Sequence, residues 1–223
     1  MKRIGILGGL GPDTTAIFYT HVAHAVAARC GTRPPIHVES LELNLTKEGD
    51  YINCGRHKRY YLKQLLDGSQ KLERTQSDFV VIPCNTVHEF HEQIAEKISV
   101  PVVNLIDVTA REVIRRGWKK VMLLATSRTV HQRLYHDVLL ERGIDIHVPS
   151  PEDQKHVDDL IRGLLGNRRN ANHQKFLTKI ITKAETRHIV LGCTDLQLLF
   201  PPSEDVVDST QVLMEHTVNL ALA

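Results

Sequence analysis

Two apolar runs of this chain end in the same way. Phe79–Ile82 (FVVI) breaks at Pro83 and delivers Cys84-Asn85-Thr86; His188–Leu191 (HIVL) breaks at Gly192 and delivers Cys193-Thr194-Asp195. Each run is too short for a helix and is closed by a breaker, so each reads as a buried strand carrying a cysteine at its carboxyl end. Arg3–Leu7 (RIGIL) and Lys120–Ala125 (KVMLLA) are continuous apolar runs of the kind found in central parallel strands. Ile36–Leu43, Val100–Leu105, Ile144–Val148 and Val206-Val207 complete the expected strands. Between them lie stretches with helical periodicity. These are Thr14–Arg29, Arg56–Arg74, a helix from the Cys84 turn to Ile98, Val108–Arg116, Val130–Arg142, Val157–Leu165, His173–Ala184 and a last helix from about Thr210 to Leu222. Gly117 and Gly143 stop two of these helices. Asn44–Asp50 and Gly166–Asn172 read as polar loops. Strands alternating with helices throughout ask for parallel βαβ units and an α/β fold.

The pattern also repeats. Lys2–Leu7 resembles Lys119–Leu124, and the two cysteine turns follow in the same order at a similar spacing. Two related α/β domains with parallel sheets, related by a pseudo-two-fold, are expected: residues 1–101 with 208–223, carrying Cys84, and residues 102–207, carrying Cys193. Ligands of open α/β sheets sit beyond the carboxyl ends of the strands. Facing halves would therefore put both cysteines on one interdomain cleft.

The chemistry open to such a pair is narrow. None of the four cysteines (Cys30, Cys54, Cys84, Cys193) forms a Cys-x-x-Cys pair, and their spacing matches no zinc template. They are expected as free thiols in a cytoplasmic protein. A thiol just ahead of a helix meets unpaired N–H groups and a positive dipole end, which favour thiolate. Asn85, Thr86 and Thr194 add uncharged donors. Two thiols on opposite walls can remove a proton from one face of a carbon and return one to the other, provided one is ionised and the other is not. Cys30 and Cys54 lack that setting and are expected to be inert. A formal net charge of +2 from 28 basic and 26 acidic residues gives no footing for a nucleic acid or a membrane surface. No apolar run is long enough to span a bilayer, and Met1–Leu7 reads as a first strand rather than a leader. Gly8–Gly11 lacks the third glycine of a dinucleotide loop and reads instead as a turn that lets the first helix approach the cleft. Cys84, His88 and His91 share a helix face, but the His-Glu-x-x-His pattern is one residue short, and no metal is expected.

Gly8-Gly9-Leu10-Gly11-Pro12, Pro83-Cys84-Asn85-Thr86-Val87-His88, Leu124-Ala125-Thr126, Gly192-Cys193-Thr194-Asp195 and Val207-Asp208-Ser209-Thr210 together resemble the cofactor-independent aspartate/glutamate racemases, across nearly the whole chain. The resemblance implies Cys84 and Cys193 as the acid/base pair, no cofactor, a small acidic amino acid as substrate and a homodimer. It places Asn85, Thr86, Thr126 and Thr194 near the substrate's carboxylate and amino groups; Leu10 is a further candidate contact, and Asp195 either caps the helix that follows it or touches the substrate amino group. It also implies that the final helix returns to the first domain. Aspartate-specific members hold the side-chain carboxylate with basic residues. Lys47 is the nearest match for one, and Arg162, Arg168 and Arg169 are candidates for the other. The chain departs from the pattern at Asp195, where glutamate is common, and at Arg128, where Ala-Thr-x-Gly-Thr usually has glycine. Aspartate racemisation is thus the expected activity. The rivals are a hydantoin racemase, a maleate isomerase or a malonate decarboxylase on the same scaffold, and a non-catalytic ligand- or metal-binding protein.

Overall fold

The computed structural model describes residues 1–168, 171–200 and 203–223, with only the backbone considered over 171–174. Arg169 and the Pro201-Pro202 pair lie outside the described residues. Two parallel sheets organise the fold. In the first, β1 (Ile4–Gly8) lies between β2 (Ile36–Ser40) and β3 (Phe79–Val81). In the second, β4 (Lys120–Ala125) lies between β5 (Asp145–His147) and β6 (Ile189–Gly192), and β6 pairs onward with β7 (Val206–Asp208). The two orders correspond: β1, β2 and β3 are matched by β4, β5 and β6. The place of β7 is taken in the first sheet by one parallel bridge, Val80 to Val102. The expected strand Val100–Leu105 shrinks to that bridge because Pro101 has no N–H to donate and Asn104 already caps the next helix.

Each central strand is buried on both faces, and its alternate residues enter different cores. Ile4, Ile6, Phe79 and Val81 pack under α1 (Pro12–Cys30) and the carboxyl-terminal helix, while Leu7, Val80 and Ile82 face the other way. Val121, Leu123 and Val190 face one side of the second sheet, and Met122, Leu124, Ile189 and Leu191 the other. The helix Leu105–Arg115 splits between the two sheets. Its Leu105 and Val108 join the first core, and Ile106, Ala110 and Val113 the second. The final helix, Ser209–Leu222, starts beside the second sheet but packs on α1, and Lys2 N–H donates to the Ala221 carbonyl at 2.9 Å. No helix among the described residues is long and apolar enough to cross a membrane.

Four stretches differ from expectation. The stretch 44–50 is not a loop. Asn44 caps α2 (Leu45–Cys54) by accepting from the Lys47 N–H, and α3 follows at Lys58–Arg74. The long helix expected after Cys84 is a 3-10 turn, Thr86–Phe90, followed by one short α-helical piece, His91–Ala95 (α4). Counting the helix Leu105–Arg115 as α5, the expected Val130–Arg142 helix is two short pieces, α6 (Ser127–His131) and α7 (His136–Leu140), parted where Arg133 takes φ 54°. The next helix, α8 (Pro151–Leu165), starts earlier than its apolar periodicity because Ser150 caps it and Pro151 opens it. Ala171–Thr182 is α9, and Ser209–Leu222 is α10.

Candidate active site

Beyond the carboxyl ends of β1, β3, β4 and β6 lies one cleft. Cys84 and Cys193 both line it, with Leu10, Asn85, Thr86, Thr126, Thr194 and Asp195. Glu48, Tyr51 and Ile52 of α2, Tyr61 of α3, Val87, and Ile161 and Leu165 of α8 complete its wall. The space measures about 400 Å³ with its open mouth included, the scale of a small metabolite. Eight of the nine residues singled out from the sequence come together here. Lys47 does not. It points away on the surface of α2, where its Nζ lies 4.2 Å from the centre of the Tyr60 ring. Arg162 and Arg168 line an adjoining outer pocket, which shares Glu48, Ile52 and Leu165 with the cleft. Arg162 is ion-paired there with Asp159.

Hydrogen bonds between distant segments hold the walls in place. The hydroxyls of Thr86, Thr126 and Thr129 form a buried triangle, with Thr86 to Thr126 at 3.0 Å, Thr126 to Thr129 at 3.0 Å and Thr86 to Thr129 at 3.3 Å. The triangle ties the turn after β3 to the turn after β4. Asn85 is held at both ends of its amide: Tyr135 Oη donates to its Oδ1 at 2.5 Å, and its Nδ2 donates to Ser209 Oγ at 2.9 Å. Replacing Tyr135 with phenylalanine is expected to leave the buried Asn85 oxygen without this donor and to cost about 1–3 kcal/mol, read by urea unfolding. A stability unchanged within error would show that Asn85 does not depend on it.

The glycine turn brings α1 to the cleft. Gly11 has φ 106°, and a Cβ there would sit 2.9 Å from Asp195 Oδ1. The close approach lets Thr14 Oγ1 donate to the same oxygen at 2.8 Å. His88 serves the Cys84 turn from behind. Its Nε2 accepts from the Leu105 N–H at 3.0 Å, so its Nδ1 carries the proton and donates to the Cys84 carbonyl at 2.7 Å. Burial drives its pKa down to about 4, so the ring is neutral at physiological pH. His91 is engaged with the Val102 carbonyl. Both imidazoles of the Cys84–His88–His91 face are thus engaged with backbone groups.

The cysteines contradict one expectation. Burial pushes the Cys84 thiol up to about 12, and the carboxylates of Asp195 and Glu48 push the same way. Burial, then Asp195, holds Cys193 well above its ordinary value. The backbone N–H groups that were expected to favour thiolate are present in equivalent places, from Thr86 and Val87 for Cys84 and from Asp195 and Leu196 for Cys193. They are outweighed, because a 3-10 turn gathers fewer aligned dipoles than an α-helix and desolvation of a buried thiolate is large. Cys84 keeps some surface toward the cleft, whereas Cys193 is 7% exposed. Both thiols hold their protons at neutral pH. The carboxyls beside them are also raised: Asp195 to about 6, chiefly by burial, and Glu48 to about 7 by burial and then by Asp195.

Glu48, Tyr51, Ile52 and Tyr61 were not anticipated as wall residues. A signal for the first three was available: Asn44 as a cap, Gly55 as a stop, and Glu48, Tyr51 and Ile52 on one helical face between them. No Lys, Arg or His lines the cleft among the described residues.

The chain is similar to known proteins in sequence and in fold. The family model described as Asp/Glu/Hydantoin racemase matches residues 7–217. The broad specificity amino-acid racemase RacX of Bacillus subtilis (strain 168) is 27% identical over 226 residues, covering 99% of this chain and 98% of that protein. The structure of an aspartate racemase homologue from Pyrococcus horikoshii OT3 superposes with a TM-score of 0.77 at 25% identity, covering 100% of both chains. That of the Picrophilus torridus aspartate racemase gives 0.82 at 22% identity, covering 99% of this chain and 94% of the other. With two parallel sheets of matching order, a cysteine turn at the end of each and a family match over nearly its whole length, the chain belongs to the Asp/Glu/hydantoin racemase family.

Proposed function

We propose that the protein is an amino-acid racemase that inverts the α-carbon by proton transfer between Cys84 and Cys193. The observation that carries this reading is that both sulfurs, each at the end of an equivalent strand, line one cleft whose other polar groups suit an α-amino carboxylate. One thiolate takes the α-hydrogen as a proton, the electron pair delocalises into the carboxylate, and the opposite thiol protonates the other face of the planar carbon. The first cysteine is left protonated and the second ionised, ready for the reverse reaction. Thr86, Thr126 and the N–H groups of the two cysteine turns are the donors for the carboxylate as charge builds on it. Asp195, fixed by Thr14, is the acceptor for the substrate ammonium. That ammonium also acts on the thiols. A positive charge beside Asp195 offsets the carboxylate that raises both thiols and makes a thiolate accessible.

This reading carries with it the division at residues 101/102 and 207/208, which the packing of α10 on α1 supports. Aspartate, the substrate that the resemblance implied, has weaker support than the reaction. A second carboxylate would enter a cleft holding Glu48 and Asp195, and its nearest described cations, Arg162 and Arg168, stand in the outer pocket.

The test is α-hydrogen exchange in deuterium oxide across a panel of single-enantiomer acidic, neutral and basic amino acids and a 5-substituted hydantoin. Deuterium is expected at the α-carbon of both enantiomers of at least one amino acid, with the appearance of the mirror form. Exchange of the hydantoin alone, or of nothing, would overturn the reading.

A further inference from the structure

Two polar groups on the α2–α3 wall of the cleft have no partner. The Glu48 residue is 9% exposed, and among the described residues its carboxylate has no side-chain hydrogen bond or ion pair. The Tyr61 hydroxyl is buried without a partner as well, in a residue 1% exposed. Both side chains line the cleft, and the Glu48 carboxylate acts on the Tyr61 phenol. The rest of the site is otherwise arranged. Asn85, Asp195 and the three threonines all have fixed partners. A hydroxyl buried without a partner is costly, and so is a carboxylate that keeps little contact with water and has no counter-charge, which singles the pair out within the site.

The chemistry of a ligand group that would meet the pair follows from the surroundings. Glu48 ionised is an acceptor only, and a phenol oxygen can accept as well. The cleft carries a second carboxylate, Asp195, and no described cation. Arg162, ion-paired with Asp159, and Arg168 line the adjoining outer pocket but not the cleft wall, and the charge that acts on Glu48 is that of Asp195, so the field at Glu48 favours a positive donor over a second carboxylate. Position separates the roles of the two acids. Asp195 belongs to the inner cleft beside Cys193, where the α-ammonium must lie. Glu48 lines both the inner cleft and the outer pocket, at the boundary that a side chain leaving the α-carbon would reach. Ile52 and Leu165 flank the same boundary and offer apolar surface to a methylene stem.

We propose that Glu48, assisted by the Tyr61 hydroxyl, selects amino acids whose side chain ends in a cationic amine, of the ornithine and lysine type, over acidic ones. This rests on the racemase reading above and names the substrate class of the same site. Above pH 7, where Glu48 is ionised, selection is strongest; below it the carboxyl is protonated and the preference fades.

The experiment compares ornithine, norleucine (the same length with a methyl in place of the ammonium) and glutamate by α-hydrogen exchange, in the wild type, Glu48→Gln and Tyr61→Phe. In the wild type the expected order of kcat/KM is ornithine, norleucine, glutamate. Glu48→Gln should reduce the ornithine-to-norleucine ratio by tenfold or more, mostly through the KM for ornithine, because a charge-assisted bond becomes a neutral one. The fall in that KM as pH rises through about 7 should vanish in the same variant. Tyr61→Phe should move the ratio in the same direction by a smaller factor. Glutamate ahead of ornithine in the wild type overturns the proposal and leaves the racemase standing; this comparison needs no variant to fold. A ratio unchanged by Glu48→Gln also overturns it, since a contact with the α-ammonium would slow both substrates alike. Absence of exchange with every amino acid removes the racemase reading itself, and this one with it.

Discussion

Alanine at either Cys84 or Cys193 should stop the interconversion of enantiomers, with losses of about 10³-fold or more, while leaving a one-sided trace of the chemistry. Each variant keeps one base. With Cys84 removed, the enantiomer whose α-hydrogen faces Cys193 should still exchange with solvent, slowly and without inversion. With Cys193 removed, the other enantiomer should do so. Complementary one-sided exchange is the signature of two bases on two faces. A single base able to swing between faces would instead leave one variant inactive toward both enantiomers and the other unaffected. The pH profile gives a second check. Because burial and the neighbouring carboxylates raise both thiols, kcat/KM should keep climbing beyond about pH 8.5, where a free cysteine would already be half ionised. A plateau at neutral pH would mean that a thiolate is already present in the free enzyme, which the burial of both sulfurs argues against. Full racemisation by either alanine variant would end the two-cysteine reading.

What could be read from the residues alone follows from the range of the forces involved. The cysteine turns were legible because a buried strand, a breaker and a small polar run are all local signals, and they occur twice. The strand–helix alternation was legible for the same reason. The helix α2 was hidden because its composition is polar, and Glu48, Tyr51 and Ile52 are its only buried residues. The thiol acidity was misread because a local argument, N–H groups ahead of a helix, was set against nothing. Burial and the approach of Glu48 and Asp195 are tertiary facts, delivered by α2 and by the turn after β6. The side-chain specificity of the cleft was opaque for a related reason. Lys47 and Glu48 are adjacent in the chain, but one lies over Tyr60 at the surface and the other lines the cleft, a difference set by the phase of a helix that was not expected there.

The largest stability effect expected outside the core lies at Arg128, the position where the family pattern usually has glycine. Its guanidinium grips Glu89 with two bonds, Nε to Oε1 at 2.8 Å and Nη2 to Oε2 at 2.6 Å. Tyr51 Oη donates to the same carboxylate at 2.5 Å, and Lys58 Nζ lies 2.9 Å from it. Four segments meet on one carboxylate: the turn after Cys84, the start of α6, α2 and α3. The Glu89 side chain is only 3% exposed and the Arg128 side chain 15%. Removing one partner of so enclosed a pair strands a charge, which typically costs 3–5 kcal/mol. Because Tyr51 and Lys58 remain, Arg128→Met is expected to lose about 2–3 kcal/mol in urea unfolding. Adding Glu89→Gln to that variant removes the stranded charge and should recover part of the loss. The pH dependence has a definite sign. Burial works to raise the Glu89 carboxyl, but the bonds from Arg128, Tyr51 and Lys58 outweigh it and hold it below the usual carboxylate range. The clamp therefore contributes fully above about pH 4.5 and is lost as pH falls through the lowered native value. Arg128→Met should flatten the acid limb of the stability curve. Tyr51 also lines the cleft, so the same variant should raise the substrate KM as its wall loosens. A variant as stable as the wild type, or a double variant weaker than the single one, would show that the four-way contact does not hold the two cysteine-bearing halves together.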